Sequence, residues 1–217
     1  MRKIQSFVRR SGRLTPSQQN ALTNLSANFT IQNLNSFEDI WQNNNPVILE
    51  IGFGNGDSLL DMALSESENN FIGIEVYEAG IGRLINNASI AGLTNLKIIQ
   101  ADAVEILEQM PDKFLSGLQL YFPDPWHKKK HNKRRIVSND FLGLLATKMQ
   151  DNSFVHMATD WEEYAQQMLE TLDYHPSFSN TSQKFSQKPD RRPITKFEKR
   201  GKKLGHGVWD LIFIKNE

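Results

Sequence analysis

From Pro46 onward the chain alternates short, nearly continuous apolar runs with stretches of helical periodicity, and few architectures accommodate that order. The runs are "PVILEIGFG" followed by "DSLLDMALSE", "NFIGIEV" by "YEAGIGRLINNASIAG", "LKIIQAD" by "AVEILEQM", then "GLQLYF", and "SFVHMAT" followed by "DWEEYAQQMLETL". Strands that are apolar on both faces need cover on both faces, and helices placed between successive parallel strands supply it. The pattern therefore predicts an α/β fold with a doubly wound, Rossmann-like, mostly parallel sheet. The end of the chain departs from it. "TKFEKRG" and "GVWDLIFIK" read as two strands around the glycine-bearing turn "KKLGHG", an antiparallel hairpin that brings the sheet to seven strands. Residues 175–193, polar and with three prolines, read as a long loop.

A chain of 217 residues with 39% hydrophobic content can build one sizeable core. We expect a mobile basic arm over residues 1–35 and one domain over 36–217. The absence of Cys excludes disulfides, thiolate nucleophiles, Cys-ligated zinc and iron–sulfur clusters, and fits a cytoplasmic protein. No stretch approaches the roughly 18 consecutive apolar residues that a membrane span needs, so no membrane is expected. Net charge is zero, but its distribution is uneven. Residues 1–13 hold five Lys and Arg, 123–135 hold six and 184–203 hold nine, together 20 of the 25 basic residues. Only Asp124, Asp190 and Glu198 among the 25 acids fall in those segments. A basic face on an acidic body favours a polyanionic partner, although any one such run taken alone is more often a solvated surface or a flexible tail.

In open α/β sheets ligands sit beyond the carboxyl ends of the strands. The first strand runs into "EIGFGNGD", where Gly52, Gly54 and Gly56 allow a tight turn and close approach to a ligand. A dinucleotide fingerprint wants glycine where Asp57 stands, and an acid there would face a pyrophosphate, which disfavours NAD. The second strand ends at Glu75 and the third at Asp102, positions from which carboxylates can meet ribose hydroxyls and an adenine amino group. With Glu50, which has no business in a buried strand unless something pairs with it, they make an acidic cleft. Such a cleft suits a cationic cofactor such as S-adenosylmethionine. Asp102 with Glu105 also forms a capping box, which leaves a plain helix cap as the alternative.

The fourth strand delivers "FPDPW" to the same rim, and the run "YFPDPWHKKKHNKRR" follows a lone carboxylate, Asp124, with six cations. With "SFVRRSGRLTPSQ", "LEIGFGNG", "GIEVY", "ATDW" and "TKFEKRG", this stretch gives the chain, over nearly its whole length, a sequence that resembles the bacterial tRNA (guanine-N7-)-methyltransferases. The resemblance implies a class I methyltransferase fold, S-adenosylmethionine as cofactor and tRNA as partner, with no metal, in a monomer or homodimer. It further implies that Glu50, Glu75, Asp102 and Asp124 line the cofactor site and that Asp124 is the catalytic residue. Lys128, Asp160, Thr195, Lys196, Phe197 and Glu198 match the family's substrate-binding positions, and Lys130, His131, Asn132, Lys133, Arg134 and Arg135 its RNA-contacting segment. The target it implies is a guanine in the variable loop.

Plainer readings stand beside several of these assignments. Asp160 with Glu163 reads also as a helix cap, and Thr195 to Glu198 as an edge strand. Trp126 either stacks on a base or packs under its loop. His127 and His131 have helical metal spacing, but inside a cationic run. A non-catalytic RNA-binding protein on the same fold is the competing function; the intact set of Glu50, Glu75, Asp102 and Asp124 argues against it.

Overall fold

The computed structural model describes residues 6–7, 12–31, 37–203 and 205–217, with the side chains of Glu38, Lys196, Phe197 and Lys202 outside the description. Seven strands form one sheet: β1 (Val47–Ile51), β2 (Asn70–Glu75), β3 (Leu96–Gln100), β4 (Leu115–Tyr121), β5 (Met149–Thr159), β6 (Phe178–Asn180) and β7 (Trp209–Lys215). Their spatial order is β3-β2-β1-β4-β5-β7-β6. The first five pair in parallel, while β7 runs antiparallel to both β5 and β6. The strand order reverses between β1 and β4, which is where such sheets open a crevice for ligands.

Both faces of the sheet are covered, as the unbroken apolar strands require. One face carries α3 (Asp57–Ser65) and α4 (Glu78–Ile90), whose Leu59, Met62, Ile81, Leu84 and Ile85 pack on Ile48, Phe71 and Ile98. The other carries α5 (Ala103–Gln109), α6 (Asn139–Lys148) and α7 (Glu162–Asp173), packed on Leu49, Leu118, Val155 and Phe213. The helix α6 fills the crossover between β4 and β5, for which the apolar pattern assigned no element. Its start is set by Ser138, whose hydroxyl accepts from Phe141 N at 3.3 Å.

The sequence reading needs correction at the end of the chain. Residues 195–201, expected as a strand, open a helix, α8 (Lys196–Lys203). Thr195 is its cap, accepting from Glu198 N at 3.1 Å, so the Thr195 to Glu198 spacing was a helix-start signal rather than an edge strand. Besides β5, the antiparallel partner of β7 is β6, three residues inside the stretch read as a loop. Within the segment read as an arm, α1 (Pro16–Asn20), a π-helical turn Ala21–Leu25 and α2 (Ser26–Phe29) pack on the body. Ala21 is buried with Leu84 and Ile85 of α4, and Gln18 Nε2 donates to Ala79 O at 2.9 Å. Arg2, Lys3, Arg9 and Arg10 lie outside the described residues.

Candidate active site

A cleft of about 630 Å³ opens at the carboxyl ends of the parallel strands, lined by Glu50, Gly52, Gly54, Glu75, Tyr121 and Asp124, among others. Its floor carries the most perturbed acid in the site. Glu50 is 2% exposed, its Oε2 has no hydrogen-bond partner, and burial, with the Glu75 carboxylate adding, raises its carboxyl to about 8. Ser58, also on the cleft wall, likewise has a buried hydroxyl without a partner. Orphaned buried polar atoms on a cleft floor are what a ligand satisfies.

Glu75 is held differently. Its Oε2 accepts from Gly54 N at 2.7 Å, and its Oε1 from Val76 N at 2.6 Å and Tyr77 N at 3.0 Å. One carboxylate thus fixes the glycine-rich turn and the start of α4 together. Gly52 and Gly54 sit at φ 74° and 59°, left-handed values that other residues rarely adopt. Sequence reasoning missed a fourth glycine: a Cβ on Gly80 would stand 1.9 Å from Gly54 O, so α4 reaches the turn only because residue 80 is glycine. Gly56, expected at the cofactor, lies off the cleft wall and packs on Leu84, whose side chain its Cβ would meet at 2.8 Å. Asp57, also on the wall, pairs with Arg83 at 2.7 Å.

Asp102 does cap α5, accepting from Val104 N at 3.0 Å. Its neighbours Ala101 and Ala103 line the cleft, while Asp102 itself borders a second, smaller hollow with Lys133, Arg135 and Ser138.

Asp124 lies at the cleft rim between two residues of left-handed backbone, Phe122 (φ 52°) and Trp126 (φ 48°). For bulky side chains that conformation costs on the order of 1–3 kcal/mol each and persists only where the surroundings enforce it. The surroundings do. Phe122 N donates to Ala158 O at 2.7 Å, Arg135 Nε to Pro125 O at 2.9 Å, and Trp126 Nε1 to Ser6 O at 3.0 Å. The Arg134 guanidinium stacks 3.7 Å from the Trp126 ring centre and donates to Phe7 O. Trp126 therefore packs within its loop.

The basic run forms a 3₁₀ segment, Lys129–Arg134, beside that loop. Lys128, Lys130 and Lys133 are exposed. Arg135, expected on the RNA-contacting face, is buried: it bridges Pro125 O and Glu163 Oε1 and lies over the Tyr164 ring, so it belongs to the scaffold of the loop. Asn132 also donates to Glu163. The rings of His127 and His131 pack against Trp161 and Trp126, and among the described residues no group of three or more His, Asp and Glu could hold a metal.

Across the cleft, Thr195 and Arg200 line the wall from α8. Asp160 does not cap α7, whose cap position is Trp161. It lies against α8 instead, where a Cβ on Gly201 would stand 2.8 Å from its Oδ2. Glu198 is fully buried and receives Arg192 Nη1 at 2.7 Å. The side chains of Lys196 and Phe197 are outside the described set. The arrangement unites a buried acidic floor, a carboxylate at the rim of a tied loop and exposed cations beside it. Chemically it can hold a cationic cofactor and present a nucleophilic purine to it.

A family model described as a putative methyltransferase matches residues 44–211. The tRNA (guanine-N(7)-)-methyltransferase of Mannheimia succiniciproducens is 51% identical over 99% of this chain and 89% of that protein. That of Psychromonas ingrahamii is 50% identical over 98% and 90%, and that of Aliivibrio fischeri 48% over 100% and 93%. Among solved structures, the 16S rRNA methyltransferase KamB superposes with a TM-score of 0.63 at 14% identity, over 83% of this chain and 93% of that one. The 16S rRNA (adenine(1408)-N(1))-methyltransferase of Catenulisporales acidiphilia gives 0.61 at 11%, over 86% and 93%. At those identities the likeness establishes the fold, that of the class I methyltransferases. With relatives at half identity across almost its entire length, the chain belongs to the tRNA (guanine-N(7)-)-methyltransferase family.

Proposed function

We propose that this protein transfers a methyl group from S-adenosylmethionine to N7 of a guanine in tRNA, in the variable loop by the family resemblance. The observation that carries the reading is that Glu50, Glu75 and Asp124 share one cleft, and that a run of exposed lysines follows Asp124 in the chain. The donor set fits the cofactor: a buried carboxylate with an unpartnered oxygen suits its cationic end, and a second carboxylate at the end of β2 suits its ribose. Three backbone N–H groups fix the Glu75 carboxylate, which keeps acceptor capacity for the ribose.

S-adenosylmethionine, when bound, supplies a methyl group activated by its sulfonium centre. Guanine N7 carries an in-plane lone pair and no proton, so the attack needs no base, and the ring becomes cationic as the bond forms. Asp124 orients the purine by accepting from its N–H groups and stabilises the developing positive charge. Its loop is held rigid on both sides, so that the carboxylate does not reorganise during transfer. Lys128, Lys130 and Lys133 hold the phosphates of the strand.

Among the described residues no helix is long and apolar enough to cross a membrane. A tRNA substrate supports a cytoplasmic location, and by the family resemblance the protein acts as a monomer or a homodimer. The test is incubation with labelled S-adenosylmethionine and unmodified tRNA followed by nucleoside analysis. Label in 7-methylguanosine is expected; label in another nucleoside, or none, would overturn the reading.

A further inference from the structure

Arg192 is the largest fully buried side chain among the described residues, at 0% exposure. Its guanidinium meets two carboxylates on different elements. Nε and Nη2 fork onto Asp210 of β7 at 2.7 and 3.0 Å, and Nη1 donates to Glu198 of α8 at 2.7 Å. The same group lies 5.9 and 5.8 Å from the ring centres of Tyr121 and Phe122. Asp210 is engaged further: His156 Nε2 lies 2.7 Å from its Oδ1, and Tyr121 Oη lies 3.0 Å from His156 Nδ1. With Asp210 ionised, donation runs from Tyr121 to His156 to Asp210, and burial, which lowers the imidazole pKa, keeps His156 neutral in the Nε2–H form.

The ends of this buried chain matter. Tyr121 is the last residue of β4, immediately before the strained Phe122 and three residues before Asp124. Glu198 lies on the first turn of α8, between Thr195 and Arg200 of the opposite cleft wall. One planar guanidinium therefore fixes the distance between the rim that presents Asp124 and the wall that carries Thr195 and Arg200. A buried ionic cluster is a poor source of stability, since well-packed apolar residues usually do as well. What a guanidinium adds is direction, because its donors lie in one plane at fixed angles, which a lysine cannot reproduce.

We propose that Arg192 is a positioning residue for the acceptor guanine, holding α8 against the base of the Phe122–Asp124 loop, and that Glu198 acts on Arg192 rather than on RNA. The proposal rests on reading the cleft as a guanine methyltransferase site. It also reassigns Glu198, which the family resemblance placed among the substrate contacts.

The test compares full-length wild type, Arg192→Lys, Glu198→Gln and the double variant. The readouts are S-adenosylmethionine affinity by calorimetry, melting temperature, and kcat and KM for tRNA at saturating cofactor. Each single variant should keep cofactor affinity within about threefold and lose about tenfold or more in kcat/KM for tRNA, with the double variant no worse than the poorer single, because both break one link. Losses that multiply in the double variant would mean that Glu198 contacts RNA independently, and would overturn the proposal. So would a lowered melting temperature with unchanged kcat/KM per cofactor-binding molecule, the mark of a merely structural role. Should Arg192→Lys fail to fold, Arg192→Gln takes its place in the cycle; should that fail too, Glu198→Gln, which keeps its volume, decides alone, a loss of about tenfold or more in kcat/KM with an unchanged salt dependence of tRNA affinity supporting the proposal and an unchanged kcat/KM or a flattened salt dependence overturning it. A wild-type protein that binds cofactor but does not methylate tRNA would instead overturn the function on which the proposal rests, and the proposal with it.

Discussion

Replacing Glu50 by Gln removes a group whose protonation the fold controls, and the size of the effect follows from its burial. In the ligand-free protein the Glu50 carboxyl is raised from 4.5 to about 8, first by burial and then by Glu75. At neutral pH the folded state therefore keeps a proton that the unfolded chain releases. The stability this group contributes is complete below pH 4.5, is lost as pH rises toward 8, and is constant above. The slope is about 1.4 kcal/mol per pH unit, and the whole change is on the order of 5 kcal/mol. Gln cannot ionise, so the variant lacks that slope. For a chain of this size about 1 kcal/mol moves the melting temperature by 2–4 °C. Between pH 4.5 and 8 the wild type should thus lose roughly 10–20 °C relative to Glu50→Gln. A difference between the two proteins that stays flat with pH would refute the argument.

Binding should mirror it. A cationic ligand favours the ionised carboxylate, so at pH 6.5 its binding expels the Glu50 proton, and affinity rises by up to about tenfold per pH unit until pH 8. Calorimetry in two buffers of different ionisation enthalpy counts the proton. Subtracting the Gln variant cancels the ligand's own titration.

Three further outcomes are expected. Asp124→Asn keeps the shape but loses the charge, and should lower kcat by about tenfold or more while cofactor affinity changes little; an unchanged kcat would reduce Asp124 to an orienting group. Gly80→Ala puts a Cβ 1.9 Å from Gly54 O, so it should lower stability by about 1–3 kcal/mol and weaken the cofactor; a normal melting temperature and Kd would show that α4 slides freely. Replacing Lys130 or Lys133 by Ala should reduce the slope of log affinity for tRNA against log salt by about 0.7–0.9 each, whereas Arg135→Ala should instead destabilise the fold. Equal effects on the salt slope from all three would contradict the burial of Arg135.

Periodicity made the parallel strands and most of their helices readable because each is long enough to show which faces are buried. It could not find Phe178–Asn180, a three-residue strand whose identity depends on pairing with residues 213–215. The helix at 196–203 was missed for another reason: the aromatic and charged run looks strand-like, and the Thr195 cap that contradicts it weighs less than periodicity. In the candidate site, the carboxylates at strand ends were legible because topology alone places them. The partners of the arginines were not. Nothing in "KPDRRPITK" distinguishes Arg191, paired on the surface with Glu66, from Arg192, wholly buried on Asp210 and Glu198. Arg135 likewise looks like the last member of a solvated run.

Several unfavourable features lie at the cleft. Two bulky residues hold left-handed backbone, Glu50 is buried with an unpartnered oxygen, and Arg192 sits in a sealed ionic cluster. None of these is what a core built only for stability would contain, and each lies within or beside the cleft. Their common effect is on the Phe122–Trp126 loop. It is tied at Phe122 to β5, at Pro125 through Arg135 to α7, and at Trp126 through Arg134 and Ser6 to the N-terminal segment. Of its five residues only Asp124 is exposed. The position of the carboxylate proposed to meet the acceptor is thus fixed through its neighbours in the loop, and those ties, which hold the strained backbone on either side, would keep that carboxylate from relaxing away as the purine becomes charged.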